Sequence, residues 1–263
     1  MISSLRFRFR MLFKYKDLLA LLVERDIKLK YRRSVLGYVW SILNPLLSMA
    51  VMVVVFSQMF SRGIENYPVY LIIGNVLFGF LRESSMQAMN SIVSSASLLK
   101  KVYVPKYIFT LSKVTSSFVN LLFSLGALLI VMLATRLRFT WYFLLIVWPI
   151  AQLYVYCLGL GLLLAAGNVF FRDIGNIWSV VTLAWMYLTP IFYTLETMSP
   201  AMQVWVPKLN PMYVYVTQMR DLVLYGRLSS PELILSGLAD AALMLLAGLF
   251  VFTKTKDQFI LHI

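Results

Sequence analysis

The chain has 263 residues, 60% of them hydrophobic and 13% charged, with a net charge of +13 and a mean hydropathy of +0.80. A soluble domain of that composition would expose far more contiguous apolar surface than water tolerates, so the bilayer must be its solvent. The basic residues cluster beside apolar stretches, as in a membrane protein and not a nucleic-acid binder, and the lone Cys157 and lone His262 leave no disulfide framework, thiolate metal site or histidine catalysis.

Ten of the 24 basic residues lie within residues 1–33, directly before a 28-residue stretch without charge, Ser34 to Ser61. That layout predicts a cytoplasmic N-terminus leading into a first span. The first apolar stretch starts too late and is too long for a signal peptide, so none is expected. From Lys16 to Arg33, Leu18, Leu19, Leu22, Val23, Ile27 and Tyr31 recur at helical spacing, with Asp17, Glu24 and Lys28 mainly on another side. The pattern predicts an amphipathic helix lying in the cytoplasmic interface. Periodicity leaves two roles open, a membrane anchor or a lever that passes a partner's movement to the first span.

Further uncharged stretches follow at 66–81, 114–135, 139–171 and 174–195, and a sixth, 233–253, is broken only by Asp240. Each but the second has the roughly 20 apolar residues a crossing helix needs. The second requires Arg82 and Glu83 inside the helix or near its end. Six spans put both termini on one side. With that side cytoplasmic, 17 basic residues fall inside and 6 outside, with Arg82 left in the membrane. Between spans five and six, residues 197–207 and 209–219 are apolar but too short to cross, and they carry Pro200, Pro207 and Pro211. They are expected to form short re-entrant or interfacial helices on the outer face. The expected fold is thus an all-α polytopic membrane protein in one domain: a cytoplasmic segment 1–33, a six-helix membrane region 34–253 and a cytoplasmic tail 254–263, with His262 at a frayed end.

The chain contains no Gly-Lys dipeptide, so no phosphate-binding GxxxxGK[ST] loop, and no HExxH or GxSxG motif. Covalent chemistry and ATP hydrolysis by that route are therefore not expected of it. Arg82, Glu83 and Asp240 are the ionisable residues within the membrane region, and three scattered charges do not form an obvious proton relay. The 18 Phe, 15 Tyr and 6 Trp suit interfacial belts, as at Tyr67, Tyr70, Trp141 and Tyr142. Within a passage they would also suit weak stacking on a sugar polymer. Asn44-Pro45 loosens the first span's hydrogen-bond ladder, which serves either a polar kink beside a conduit or ordinary helix packing. Arg172-Asp173 either caps the fifth helix or meets a partner.

The run from Arg25 to Leu47, with Gly37-Tyr38-Val39-Trp40-Ser41 and Asn44-Pro45 inside it, resembles the permease subunit of type-2 ATP-binding-cassette exporters of bacterial surface polysaccharides, the O-antigen and teichoic-acid exporters. Lys100-Lys101-Val102-Tyr103-Val104-Pro105 looks like that family's first cytoplasmic loop, and Asn168 to Ile174 like its loop between spans four and five. Asn210-Pro211, followed by Arg220-Asp221-Leu222, looks like its outer re-entrant region. The blocks occur in order over nearly the whole chain.

The resemblance implies a homodimer in the bacterial cytoplasmic (inner) membrane, joined to two copies of a separate cytoplasmic ATPase that binds ATP and Mg, with no cofactor on this chain. It implies a polyprenyl-pyrophosphate-linked glycan as cargo, passed along the dimer interface. It assigns contact with the ATPase to Glu24, Arg25, Asp26 and Lys28 and to Ser97, Leu98, Leu99, Lys100 and Lys101. The conduit lining falls to Tyr38, Trp40, Asn44, Trp178, Trp185 and Tyr187, and an outer gate to Trp205, Asn210, Pro211 and Tyr213. Two alternatives are an exporter of a small amphipathic drug or lipid and an integral membrane enzyme of glycan assembly. The first would have a narrower, drier interface; the second needs a polar catalytic cluster near one membrane face.

Overall fold

The computed structural model describes residues 15–32, 35–60, 64–101 and 104–262, and every regular element among them is helical. Residues 1–14, Arg33, Ser34, Arg62, Val102 and Tyr103, on which some of the expectations above fall, lie outside the described residues. The α-helices are α1 Lys16–Tyr31, α2 Trp40–Phe60, α3 Tyr67–Met89, α4 Ser91–Ser94, α5 Ala96–Leu99, α6 Tyr107–Ala134, α7 Val147–Phe170, α8 Ile174–Leu188, α9 Pro200–Leu209, α10 Pro211–Val223, α11 Pro231–Thr255 and α12 Phe259–His262. Four helical stretches among the described residues are long and apolar enough to cross a membrane: Gly37–Gln58, Tyr107–Ala134, Trp141–Phe170 and Pro231–His262.

Local chemistry explains the boundaries. Proline, whose missing N–H costs nothing in a first turn, opens α9, α10 and α11. The side chains of Asn210 and Ser230 accept first-turn amide bonds of α10 and α11. At the far end of α6, Arg136 adopts φ 55. Leu137 then donates to the Met132 carbonyl at 3.0 Å and Arg136 to that of Leu133 at 3.2 Å, closing the helix with a left-handed cap. Inside α2, Pro45 leaves the Ser41 carbonyl without its helical donor, and Ser124 Oγ of α6 supplies one at 3.2 Å.

Helix α3 runs through Arg82 and Glu83 to Met89, as the short second stretch requires. Charge punctuation misplaces other ends: α6 begins at Tyr107, so Lys113 lies within it. Helix α8 stops at Leu188 and has 15 residues, not the 22 of the uncharged stretch 174–195. Thr189 precedes Pro190 and takes extended backbone, as residues before proline do. His262, expected at a frayed end, lies edge-on to Phe170 with ring centroids 4.9 Å apart.

Two cores hold the helices. The larger joins α3, α6, α7 and α10. At the other end, Leu22 of α1 joins Ile92, Leu99, Phe109, Leu162, Val169, Phe252 and Phe259 in a smaller cluster. Helices α7 and α11 approach most closely where glycines face each other: a Cβ on Gly159 would lie 2.4 Å from the Leu245 backbone, and one on Gly248 2.1 Å from the Gly159 carbonyl. Such close approach is how helices associate where lipid offers no hydrophobic gain.

Candidate functional site

Helices α2 and α8 leave long faces uncovered. Tyr38, Trp40 and Asn44 are exposed before and in α2, as are Val180, Leu183 and Tyr187 in α8. Of the residues assigned to the conduit, the structure brings Trp178 and Trp185 together, edge to face at 6.3 Å. Both are half-buried with their indole N–H groups committed: Trp178 donates to Ser85 Oγ of α3 at 3.0 Å and Trp185 to Asn210 Oδ1 at 2.8 Å. Their rings flank the open face while their polar edges pin α8 in place. Tyr38 stands elsewhere. It lies 6.1 Å from Phe123 of α6 and lines an apolar groove of about 520 Å³ between α1 and α6, with Leu19, Val23 and Ile27.

Asn210 is the centre of the polar contacts between α8 and α10. Its Oδ1 accepts from the Met212 amide at 3.1 Å and from Trp185; its Nδ2 donates to Thr189 Oγ1 at 3.0 Å and the Leu188 carbonyl at 3.3 Å. One amide therefore caps the start of α10 and satisfies the end of α8. Pro211 occupies the first position of α10, Tyr213 is half-buried, and Trp205 of α9 is exposed. The turn after α8 is fastened again by Arg220, which is buried in α10 with no carboxylate partner among the described residues. It donates to the carbonyls of Pro190 at 2.7 Å and of Ile191 and Tyr70 at 3.2 Å, with its guanidinium over the Tyr70 ring. Tyr67 and Tyr70 of α3 donate to the Phe192 and Tyr193 carbonyls at 2.8 and 2.7 Å. In the sequence Arg220 stands out only as a charge in the block after Asn210-Pro211 that carries the resemblance, and no local signal marks it as a clamp.

On the amphipathic helix, Glu24, Arg25 and Lys28 face outward. Lys28 bonds Glu24 at 2.5 Å and holds that carboxyl below the ordinary value. Asp26 turns inward. Its side chain is 7% exposed and pairs with Lys113 of α6 at 2.8 Å and Arg25 at 3.1 Å. Lys30 pairs with Glu83 of α3 at 2.7 Å, and Glu83 also accepts from Asn120 and Gln87, both at 2.9 Å. Helix α1 is thus tied to α3 and α6 by ion pairs near the apolar region. Its apolar stripe meets α6 and the small core through Leu22. In the loop, Ser97, Leu98, Lys100 and Lys101 are exposed, whereas Leu99 enters the cluster that holds Leu22. The outward faces of α1 and of this loop therefore rise from one shared core.

Among the described residues no group of His, Cys, Asp and Glu is arranged to hold a metal. The polar clusters of the site are hydrogen-bonded fastenings between helices.

Comparison with known proteins follows the same span. The profile of the ABC-2 type transporter matches residues 17–224. The O-antigen export system permease protein RfbA of Myxococcus xanthus is 30% identical over 253 residues, 95% of this chain and 96% of the relative. A protein of the same name from Klebsiella pneumoniae is 28% identical over 92% of this chain and 93% of its own length. The capsule polysaccharide export inner-membrane protein CtrC of Neisseria meningitidis serogroup A is 25% identical over 78% of this chain and 77% of its own.

Proposed function

The chain belongs to the ABC-2 type transporter family, and on that premise we propose that it is the permease of an exporter moving a polyprenyl-pyrophosphate-linked polysaccharide of the O-antigen kind across the cytoplasmic membrane. The observation that carries the reading is the likeness to O-antigen permeases over nearly their whole length. The uncovered, partly aromatic faces of α2 and α8 support it.

In this reading two copies face each other across α2 and α8, and a glycan passes between them by weak, successive stacking on aromatic rings. Tyr38, Trp40, Asn44, Trp178, Trp185 and Tyr187 remain the proposed lining, with the tryptophans also acting as pins. Helices α2, α3, α6, α7, α8 and α11 are the six spans, and both termini are cytoplasmic. Helix α8, about 22 Å long, is short of a core of about 30 Å. The turn at Thr189–Tyr193 makes up the distance, and α9 and α10 fold back as a re-entrant outer gate at Trp205, Asn210, Pro211 and Tyr213. Two copies of a separate ATPase, which carry ATP and Mg, engage Glu24, Arg25 and Lys28 of α1 and the exposed loop residues Ser97, Leu98, Lys100 and Lys101. Asp26 and Leu99 support those surfaces from within. The chain itself performs no covalent chemistry.

Capsule polysaccharide is the second reading, favoured by CtrC at lower identity and coverage. Mass spectrometry of polyprenyl-linked lipids in cells depleted of this protein tests the proposal. Accumulation of a polyprenyl-pyrophosphate glycan, reversed by re-expression, is the expected result. A glycan accumulating on a different lipid would favour the capsule reading. Shorter or unsubstituted glycans would indicate an assembly enzyme, and unchanged lipids would indicate a small-molecule exporter.

A further inference from the structure

We propose that Arg82 of α3 receives the phosphate anion of the lipid-linked substrate inside the passage. This rests on the export reading above and assigns a residue to it. Asn75, Gly79, Arg82 and Met86 fall at spacings of four, three and four, so they share one face of α3. That stripe is open: Arg82 and Met86 are exposed, and a Cβ added to Gly79 would meet nothing within 4 Å. It lies between two occupied flanks. On one, Phe78 and Ser85 meet Trp185 and Trp178 of α8; on the other, Glu83 holds Lys30 and Asn120. The stripe is therefore the floor of an open face, with the conduit helix α8 along one side and α1 and α6 along the other.

An arginine at membrane depth is costly and is ordinarily paired. Arg82 has no ion pair or side-chain hydrogen bond among the described residues. Its neighbour Glu83 is already committed to Lys30, Gln87 and Asn120. Glu83 thus answers Lys30, which leaves the Arg82 charge facing the passage without an anion among the described residues. A guanidinium fork matches phosphate oxygens and suits a pyrophosphate better than any uncharged sugar. Arg82 lies seven residues before Met89, about 10 Å along the helix from that end. With the proposed orientation this is the cytoplasmic third of the membrane, where a charged headgroup would be taken up.

The test uses the permease assembled with its ATPase in nanodiscs of zwitterionic phosphatidylcholine, with undecaprenyl pyrophosphate and undecaprenol as probes. The wild type is expected to bind the pyrophosphate at least tenfold more tightly, with the preference shrinking as salt is raised. Arg82→Gln should abolish the preference and Arg82→Lys should keep part of it; both should assemble normally because the side chain is exposed. An undiminished preference in Arg82→Gln, or a salt-insensitive one in the wild type, would overturn the assignment. So would equal competition by phosphatidylglycerol, which would make Arg82 a contact for bulk lipid headgroups. If depletion still accumulates the lipid-linked glycan while Arg82→Gln binds normally, only the role of Arg82 fails and the export reading stands.

Discussion

Single side chains at the junction of α8 and α10 do the work of whole loops. Asn210 serves two helices with one amide, so Asn210→Ala removes the cap of α10 and also strands the Trp185 N–H, while the Thr189 hydroxyl keeps its bond to the Trp185 carbonyl. Loss of a cap costs about 1 kcal/mol and the stranded N–H about as much again. The variant should therefore unfold at a measurably lower temperature in detergent, with altered tryptophan emission reporting Trp185. Asn210→Asp keeps the acceptor for α10 and should recover part of the loss. Arg220 tests the same region from the other side. Arg220→Lys retains the charge but cannot reach three carbonyls at once. A loss of about 2 kcal/mol is expected, read as a lower thermal midpoint. An unchanged midpoint would mean that the turn after α8 stands without the clamp.

Helices meet here through gaps and freed backbone groups as much as through apolar area. Gly159 and Gly248 leave no room for a Cβ, so Gly248→Val should force α7 and α11 apart and abolish stable expression, whereas Gly79→Ala, over open space, should be tolerated. Immunoblots of membrane fractions read the difference. At the end of α6, Arg136 bears the cost of a left-handed backbone that glycine adopts freely. Arg136→Gly should stabilise by about 1 kcal/mol, raising the thermal midpoint. The helices themselves were legible from charge-free length, and the short pair at α9 and α10 from their prolines. Their ends were less so, for a physical reason. Charge serves as punctuation along the sequence, yet Lys113 lies within α6, where Asp26 neutralises it. The end of α8 was marked by Pro190 but hidden by the absence of charge. Of the candidate site, Asn210-Pro211 stood out as a motif, while Arg220, Ser124 and the inward turn of Asp26 depend on contacts between distant segments that no local pattern encodes.

For the whole molecule, the uncovered faces of α2 and α8 predict a second copy. Cys157 is fully buried, so a cysteine placed at exposed Val180 can be tested against a silent background. Oxidation in native membranes should yield a cross-linked dimer from Val180→Cys and none from Leu243→Cys on the outward side of α11; cross-linking of both alike would point to random collision. Within one chain, helix α1 is tied to α6 and α3 through Asp26–Lys113 and Lys30–Glu83, and these ties have a consequence in descent. An acid at 26 lost alone would strand a lysine against α6, and a base at 30 lost alone would strand a carboxylate on α3. Lineages that alter one position should therefore alter its mate, so that 26 with 113 and 30 with 83 drift as matched couples while the outward-facing Glu24 and Arg25 wander with whatever they meet.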